Sequence, residues 1–305
     1  MRRKVAFTIF LIGVIVLVCG VSGILSGGFQ FGLLTGFMGA LLFALDFAPR
    51  HEPAPGAPPP LPLLKTVLGV FYEPSRVFQN LRARPRWVTA FLIIALSSVT
   101  YHVVFTYRMT PEKIALAEIN KAIEGRLISE DEEERVKALR MESARASLAI
   151  VNGAAMQVVG LFIFILGLAL LYKLGVFTFG GRIQWQQALS VATYAALPPI
   201  LIAKMLSLFL LFIIPLEYID PFKGQHALIR DDLSIFLSPG QHPILYTAAT
   251  FVSLISLYKI WLTITGLRNG GERVSSSVAL TVALSLWGVA LGLAIMFASL
   301  HPTSV

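Results

Sequence analysis

Residues 188–214 read ALSVATYAALPPILIAKMLSLFLLFII, 27 positions with a single charge, Lys204. The hydrocarbon core of a bilayer is about 30 Å thick, and a helix rising 1.5 Å per residue crosses it with about 20 apolar residues. A run of this length and composition reads as a membrane span. Working outward, six more runs qualify: 5–25, 29–47, 88–107, 147–172, 244–267 and 275–300. Across the chain AVILMFWYC residues make up 56% of 305 positions and charged residues only 14%. A soluble domain carries about 25% charged residues, so this chain lacks the polar surface to stay in water. The expected fold is all-α, a polytopic transmembrane helical bundle of about seven spans.

The first two runs are joined by Ser26-Gly27-Gly28, short enough to force an antiparallel hairpin. Gly32 and Gly36 in the second run have the small-xxx-small spacing that lets helices approach closely in lipid. Met1-Arg2-Arg3-Lys4 followed by an apolar run has the look of a secretory leader. The run exceeds the usual 7–15 residues of such a leader's apolar core, so an uncleaved helix is expected. Pro49 to Pro62, with Pro58-Pro59-Pro60, is too proline-rich for helix and reads as an extended linker. Three units are therefore expected: a hairpin over 1–48, a linker over 49–63 and a five-span unit over 64–305. The last carries an extramembrane helical insertion at 108–146.

Within that insertion Thr110-Pro111-Glu112 is a helix start, and Gly125 is a stop. Ser129-Glu130-Asp131-Glu132 opens a second helix as a capping box. Helices over 111–124 and 130–146 follow. Ahead of the third span, Glu73-Pro74-Ser75 opens a short helix with proline in its first turn. Val77, Phe78 and Leu81 then share one face, and Arg76, Gln79, Arg82, Arg84 and Arg86 form a basic rim. That pattern suits a helix lying in the headgroup region, with Trp87 as an interfacial anchor. The candidate interfacial motif is thus Glu73, Pro74, Arg76, Phe78 and Trp87.

Charge fixes an orientation. With the N-terminus inside, the inner segments hold 13 basic residues (Arg2, Arg3, Lys4, Arg50, Lys65, Arg76, Arg82, Arg84, Arg86, Lys173, Arg182, Arg268, Arg273) against four acidic ones (Asp46, Glu52, Glu73, Glu272). Lysine and arginine near span ends collect on the cytoplasmic side, so a cytoplasmic N-terminus and an extracytoplasmic C-terminus in a cell membrane are expected.

Polar residues inside spans invite a role, because a central lysine costs about 2.5–3.5 kcal/mol on insertion scales. Lys204 lies deep in its run, downstream of Pro198 and Pro199, which remove two backbone donors and leave the carbonyls of Tyr194 and Ala195 without their usual partners. The fifth span is expected to be broken there, with Lys204 aimed back at the freed carbonyls. Asn152 and Gln157 are expected to bond between helices, and Lys259 to snorkel between Tyr258 and Trp261. No zinc-binding His-Glu-x-x-His, nucleophile elbow or phosphate loop occurs. The one cysteine, Cys19, can build neither an internal disulfide nor a cysteine-based metal site. No catalytic residue, cofactor or metal is expected. The expected partners are membrane lipids and other membrane proteins, not nucleic acid.

Three stretches carry a family resemblance: Phe71-Tyr72-Glu73-Pro74-Ser75-Arg76-Val77-Phe78, then 179–188 (FGGRIQWQQA) leading into Tyr194-Ala195-Ala196-Leu197-Pro198-Pro199, and Leu257-Tyr258-Lys259-Ile260-Trp261 with Gly266-Leu267. From about 64 to 300 the chain resembles the Yip-domain family of five-span membrane proteins, especially its bacterial branch. The resemblance implies a cytoplasmic N-terminus, five spans and an opposite-side C-terminus, and for eukaryotic members it implies vesicle trafficking and membrane shaping. The Asp-Leu-Tyr-Gly-Pro motif of eukaryotic members is missing, so their Rab-type partner does not carry over. The functional expectation is a scaffold that organises lipids or partner proteins. The alternative is a transporter or transporter subunit using the proline-broken fifth span and Lys204.

Overall fold

The computed structural model describes residues 2–21, 32, 36, 59–124, 130–145, 149–225, 227–237 and 242–300. Its helices of eight residues or more are α1 (Arg2–Val21), α2 (Leu63–Tyr72), α3 (Pro74–Ala83), α4 (Trp87–Met109), α5 (Pro111–Glu124), α6 (Glu130–Arg145), α7 (Ala149–Thr178), α8 (Trp185–Ile213), α9 (Pro243–Thr250), α10 (Leu254–Gly270) and α11 (Ser276–Leu300). No strand occurs among the described residues, only an isolated bridge between Asp232 and Ser253. The chain is an all-helical membrane bundle. Helices α4, α7, α8 and α11 are each long and apolar enough to cross a bilayer.

Helix α8 is the hub, packed against α4, α7 and α10, with α11 laid over α10 and α7. From Gln187 to Pro199 every residue of α8 is buried. This continuous burial explains why the helix runs without interruption through Pro198 and Pro199. Neighbouring helices on all sides hold the turn that the missing donors would otherwise loosen. The break expected in the fifth span is therefore absent.

The break lies in the sixth. The run 244–267 is not one helix but two, α9 and α10, separated at Phe251–Ser253. The Ser253 hydroxyl accepts from Ser256 N at 2.9 Å and caps α10. The Asp231 carboxylate takes Ile255 N at 2.8 Å, and Leu233 N donates to Val252 O at 3.1 Å. The Asp231 carboxylate and the backbone bridge between Asp232 and Ser253 thus hold open a turn that hydropathy alone would close. With 17 residues, α10 rises about 25 Å, slightly less than the hydrocarbon core.

The helices expected over 111–124 and 130–146 are present as α5 and α6. Gly125 and Ser129 lie outside the described residues, as do the 26–28 turn, residues 49–58 of the linker and most of the second apolar run. Gly32 and Gly36 of that run are buried. A Cβ added to Gly36 would sit 3.6 Å from the Gly13 carbonyl carbon, so the small-residue spacing does serve contact with α1. Gly180, with φ of +78°, turns the chain out of α7 in a conformation that L side chains rarely adopt.

Candidate functional site

One end of the bundle is a plate built from α2, α3 and two loops. Helix α3 forms as expected, with Pro74 in its first turn. Its apolar face, Val77, Phe78 and Leu81, is fully buried. That face lies on protein rather than in headgroups: α3 packs against α10 and α8, and the Phe78 ring fills the space beside Gly266. Trp87 is only 9% exposed. It packs against Phe91 and Phe162 at ring distances of 6.0 and 6.1 Å, so it is a core residue rather than an interfacial anchor.

The apolar ridge at the surface belongs instead to α2, a helix not foreseen between the linker and Glu73. Leu64 and Tyr72 are each 67% exposed, with Leu63 and Leu68 beside them. Its other face, Thr66, Val67, Gly69 and Val70, is buried. Pro62 just before the helix and apolar residues on both faces hid it in a proline-rich context.

Polar side chains weld the plate to the spans. Asn80 donates to Pro59 O at 2.9 Å and accepts from Leu61 N at 3.3 Å, tying the end of the linker to α3. Gln187 donates to Arg82 O at 3.1 Å and accepts from Gln184 N at 2.9 Å, joining α3 to the start of α8. Gln79 donates to Asn269 at 3.2 Å. Arg82 donates to Glu272 O at 3.1 Å, and the same residue's carboxylate accepts from Gln184 at 2.5 Å. Arg76 pairs with Glu73 at 3.2 Å on the exposed surface, an interaction of little energetic weight. Arg76, Arg82 and Arg86 are exposed. The basic segments 65–86, 179–184 and 268–273 therefore share one end of the bundle. The acid-rich α5 and the loop after α8 meet at the other, where Gln225 and Arg140 both reach Glu118.

The second constellation surrounds Lys204, which is 8% exposed. Its ammonium sits 4.6 Å from the ring centre of Tyr101 on α4, a cation–π contact. The Tyr101 hydroxyl donates to Gly224 O at 2.5 Å. His102, the next residue, lies within electrostatic reach of Lys204. Its buried Nε2 has no partner among the described residues and abuts Gly153 of α7. Below Lys204, Ser207 accepts from Leu228 N at 2.9 Å. The aromatic floor was not foreseen, because nothing in the spacing of Tyr101 announces which face of α4 meets α8.

The remaining predicted residues scatter. Tyr194 is buried on α8 within electrostatic reach of Arg86, far along the helix from Lys204. Asn152 and Gln157 are half-buried on α7. The interhelical hydrogen bonds expected of them do not occur among the described residues. Lys259 does not snorkel between Tyr258 and Trp261, which stack on each other at 5.8 Å. Its ammonium faces the Phe164 ring at 5.3 Å. Among the described residues no group of three His, Cys, Asp or Glu is placed to hold a metal.

A family model for the Yip1 domain matches residues 68–298. No curated protein and no solved structure matches the chain.

Proposed function

This chain belongs to the Yip1 domain family, and we propose that it is a non-enzymatic scaffold whose plate of α2 and α3 lies on the cytoplasmic leaflet. One observation carries the proposal: a single end of the bundle presents an apolar ridge, Leu63, Leu64, Leu68 and Tyr72, beside the exposed guanidinium groups of Arg76, Arg82 and Arg86. An apolar edge next to clustered bases is how a surface helix seats among headgroups. Each base near an anionic leaflet contributes about 1 kcal/mol. Because α3 is bonded to α8 and α10, whatever the plate binds is coupled to the spans. The clustered bases support a cytoplasmic plate and an extracytoplasmic C-terminus by the positive-inside rule.

The test is the lipid and protein content of material purified in mild detergent. The wild type should retain anionic phospholipid and a reproducible set of membrane proteins. Arg76→Gln with Arg86→Gln should deplete the lipid, and Lys204→Leu should leave both intact. Unchanged lipid in the arginine variant would end the scaffold reading.

The transporter reading draws on a different observation, the discontinuity between α9 and α10, since broken spans build many substrate sites. It requires solute flux in proteoliposomes that Lys204→Leu abolishes.

A further inference from the structure

Between α7, α10 and α11 lies a cavity of about 340 Å³, within the range that holds small ligands. Phe164, Leu168 and Leu286 supply apolar wall, and Lys259 and Trp287 line it as well. Phe164 is also exposed on the outside of the bundle, so the wall continues to the lipid-facing surface.

The polar groups of this cavity divide by what they still lack. The Tyr172 and Thr263 hydroxyls bond each other at 3.1 Å. Thr250 donates to Thr247 O at 2.7 Å, and Ser256 and Ser253 share a hydroxyl bond at 2.6 Å. Each of these hydroxyls has a partner inside the protein. Two groups do not. The Trp287 indole N–H has no acceptor among the described residues. The Lys259 ammonium faces a phenyl ring and has no hydrogen bond or ion pair among them. Both can only donate. What completes the cavity must therefore accept.

It must also be negative. Lys259 stands nine residues before Arg268 and five after Leu254, about 14 Å and 8 Å along the helix, between the two ends of α10. None of α4, α7, α8, α10 and α11 contains an acid. Asp231 and Asp232 at the head of α10 accept from Ile255 N at 2.8 Å and Ser234 N at 2.9 Å, and neither forms an ion pair with Lys259 among the described residues. A lysine at such depth is costly without a counter-charge and marks a ligand path when it faces a cavity.

We propose that this cavity binds the singly charged oxyanion of an acyl-chain amphiphile, held by Lys259 and Trp287, with its chain along Phe164 and Leu168. A carboxylate or a phosphodiester would both satisfy the two donors and neutralise one lysine. The experiment separates them. Saturable binding of radiolabelled palmitate and of radiolabelled phosphatidylglycerol is measured on the full chain in detergent, with methyl palmitate and diacylglycerol as uncharged competitors. One or both anionic probes should bind at one site, and the competitors should fail to displace them. Saturation by palmitate alone identifies a carboxylate ligand, and saturation by phosphatidylglycerol identifies a lipid phosphodiester. Lys259→Met should weaken binding at least about tenfold, the least expected from losing a charge-assisted bond in an apolar site. Lys259→Arg should retain most of it. Should Lys259→Met not fold, each anionic probe against its uncharged competitor on the wild type decides alone. Equal displacement by the ester, no saturable binding of either anion, or a Lys259→Met protein that binds as the wild type does would each overturn the proposal.

Discussion

Replacing Gly266 by alanine probes the seam that couples the plate to the spans. A Cβ added there would lie 2.8 Å from Val191 Cγ1 on α8 and 3.1 Å from Phe78 Cζ on α3, both inside ordinary contact distance. Val191 and Phe78 are themselves fully buried, so neither has room to retreat. One extra methyl in such a site costs about 1–3 kcal/mol. Alanine recovers about 1 kcal/mol of helix propensity over glycine. The net expectation is a loss of about 1 kcal/mol, or some 2–4 °C in melting temperature for a protein of this size. Gly288 on α11, where nothing lies within 4 Å, is the control. Its alanine variant should be neutral or more stable. Truncating Val191 to alanine removes the methyl that Gly266→Ala strikes, so the double variant should be more stable than the two single losses predict, by about 1 kcal/mol. Thermal unfolding of detergent-purified protein, followed by size-exclusion fluorescence, reads all four. Strict additivity, or a Gly266→Ala protein as stable as the Gly288→Ala control, would refute the close packing of α3, α8 and α10.

Tyr101→Phe removes the bond to Gly224 O and should cost about 1 kcal/mol, read as faster amide exchange across 219–230. Asn80→Leu leaves Leu61 N and Pro59 O without their partner and should cost about 1–3 kcal/mol. Proteolysis of the 49–62 linker should quicken with it. Thr110, with φ of +66°, occupies backbone space that suits glycine. Thr110→Gly should therefore raise the unfolding temperature by an amount equivalent to about 1 kcal/mol.

Much of the architecture was legible because lipid imposes a simple rule. A run such as 188–214 or 275–300 must be helical if it crosses hydrocarbon, and its ends fell within three residues of α8 and α11. The insertion was equally readable, since Pro111 marks a helix start whatever surrounds it. Breaks inside apolar runs were harder. Pro198 and Pro199 looked like a discontinuity, yet packing on every side keeps α8 whole. Thr250-Phe251-Val252-Ser253 looked continuous, yet Asp231, some twenty residues upstream, caps Ile255 N and the backbone of Asp232 bridges Ser253, which separates α9 from α10. Only the spatial arrangement brings those acids to the turn. The polar candidates fared likewise. Lys204 was visible as an oddity, but its partner Tyr101 is more than a hundred residues away. Lys259 read as an interfacial anchor because Tyr258 and Trp261 flank it in sequence, while its side chain leaves the other way, toward Phe164.

A scaffold of this kind needs its basic plate on the cytoplasmic side of the membrane. In a Cys19→Ser background, Arg76→Cys and, separately, a cysteine appended after Val305 can be labelled with a membrane-impermeant maleimide in right-side-out and inverted vesicles. Arg76→Cys should react only in inverted vesicles and the appended cysteine only in right-side-out ones. Labelling of both from the same face, or Arg76→Cys reacting from outside, would contradict that placement.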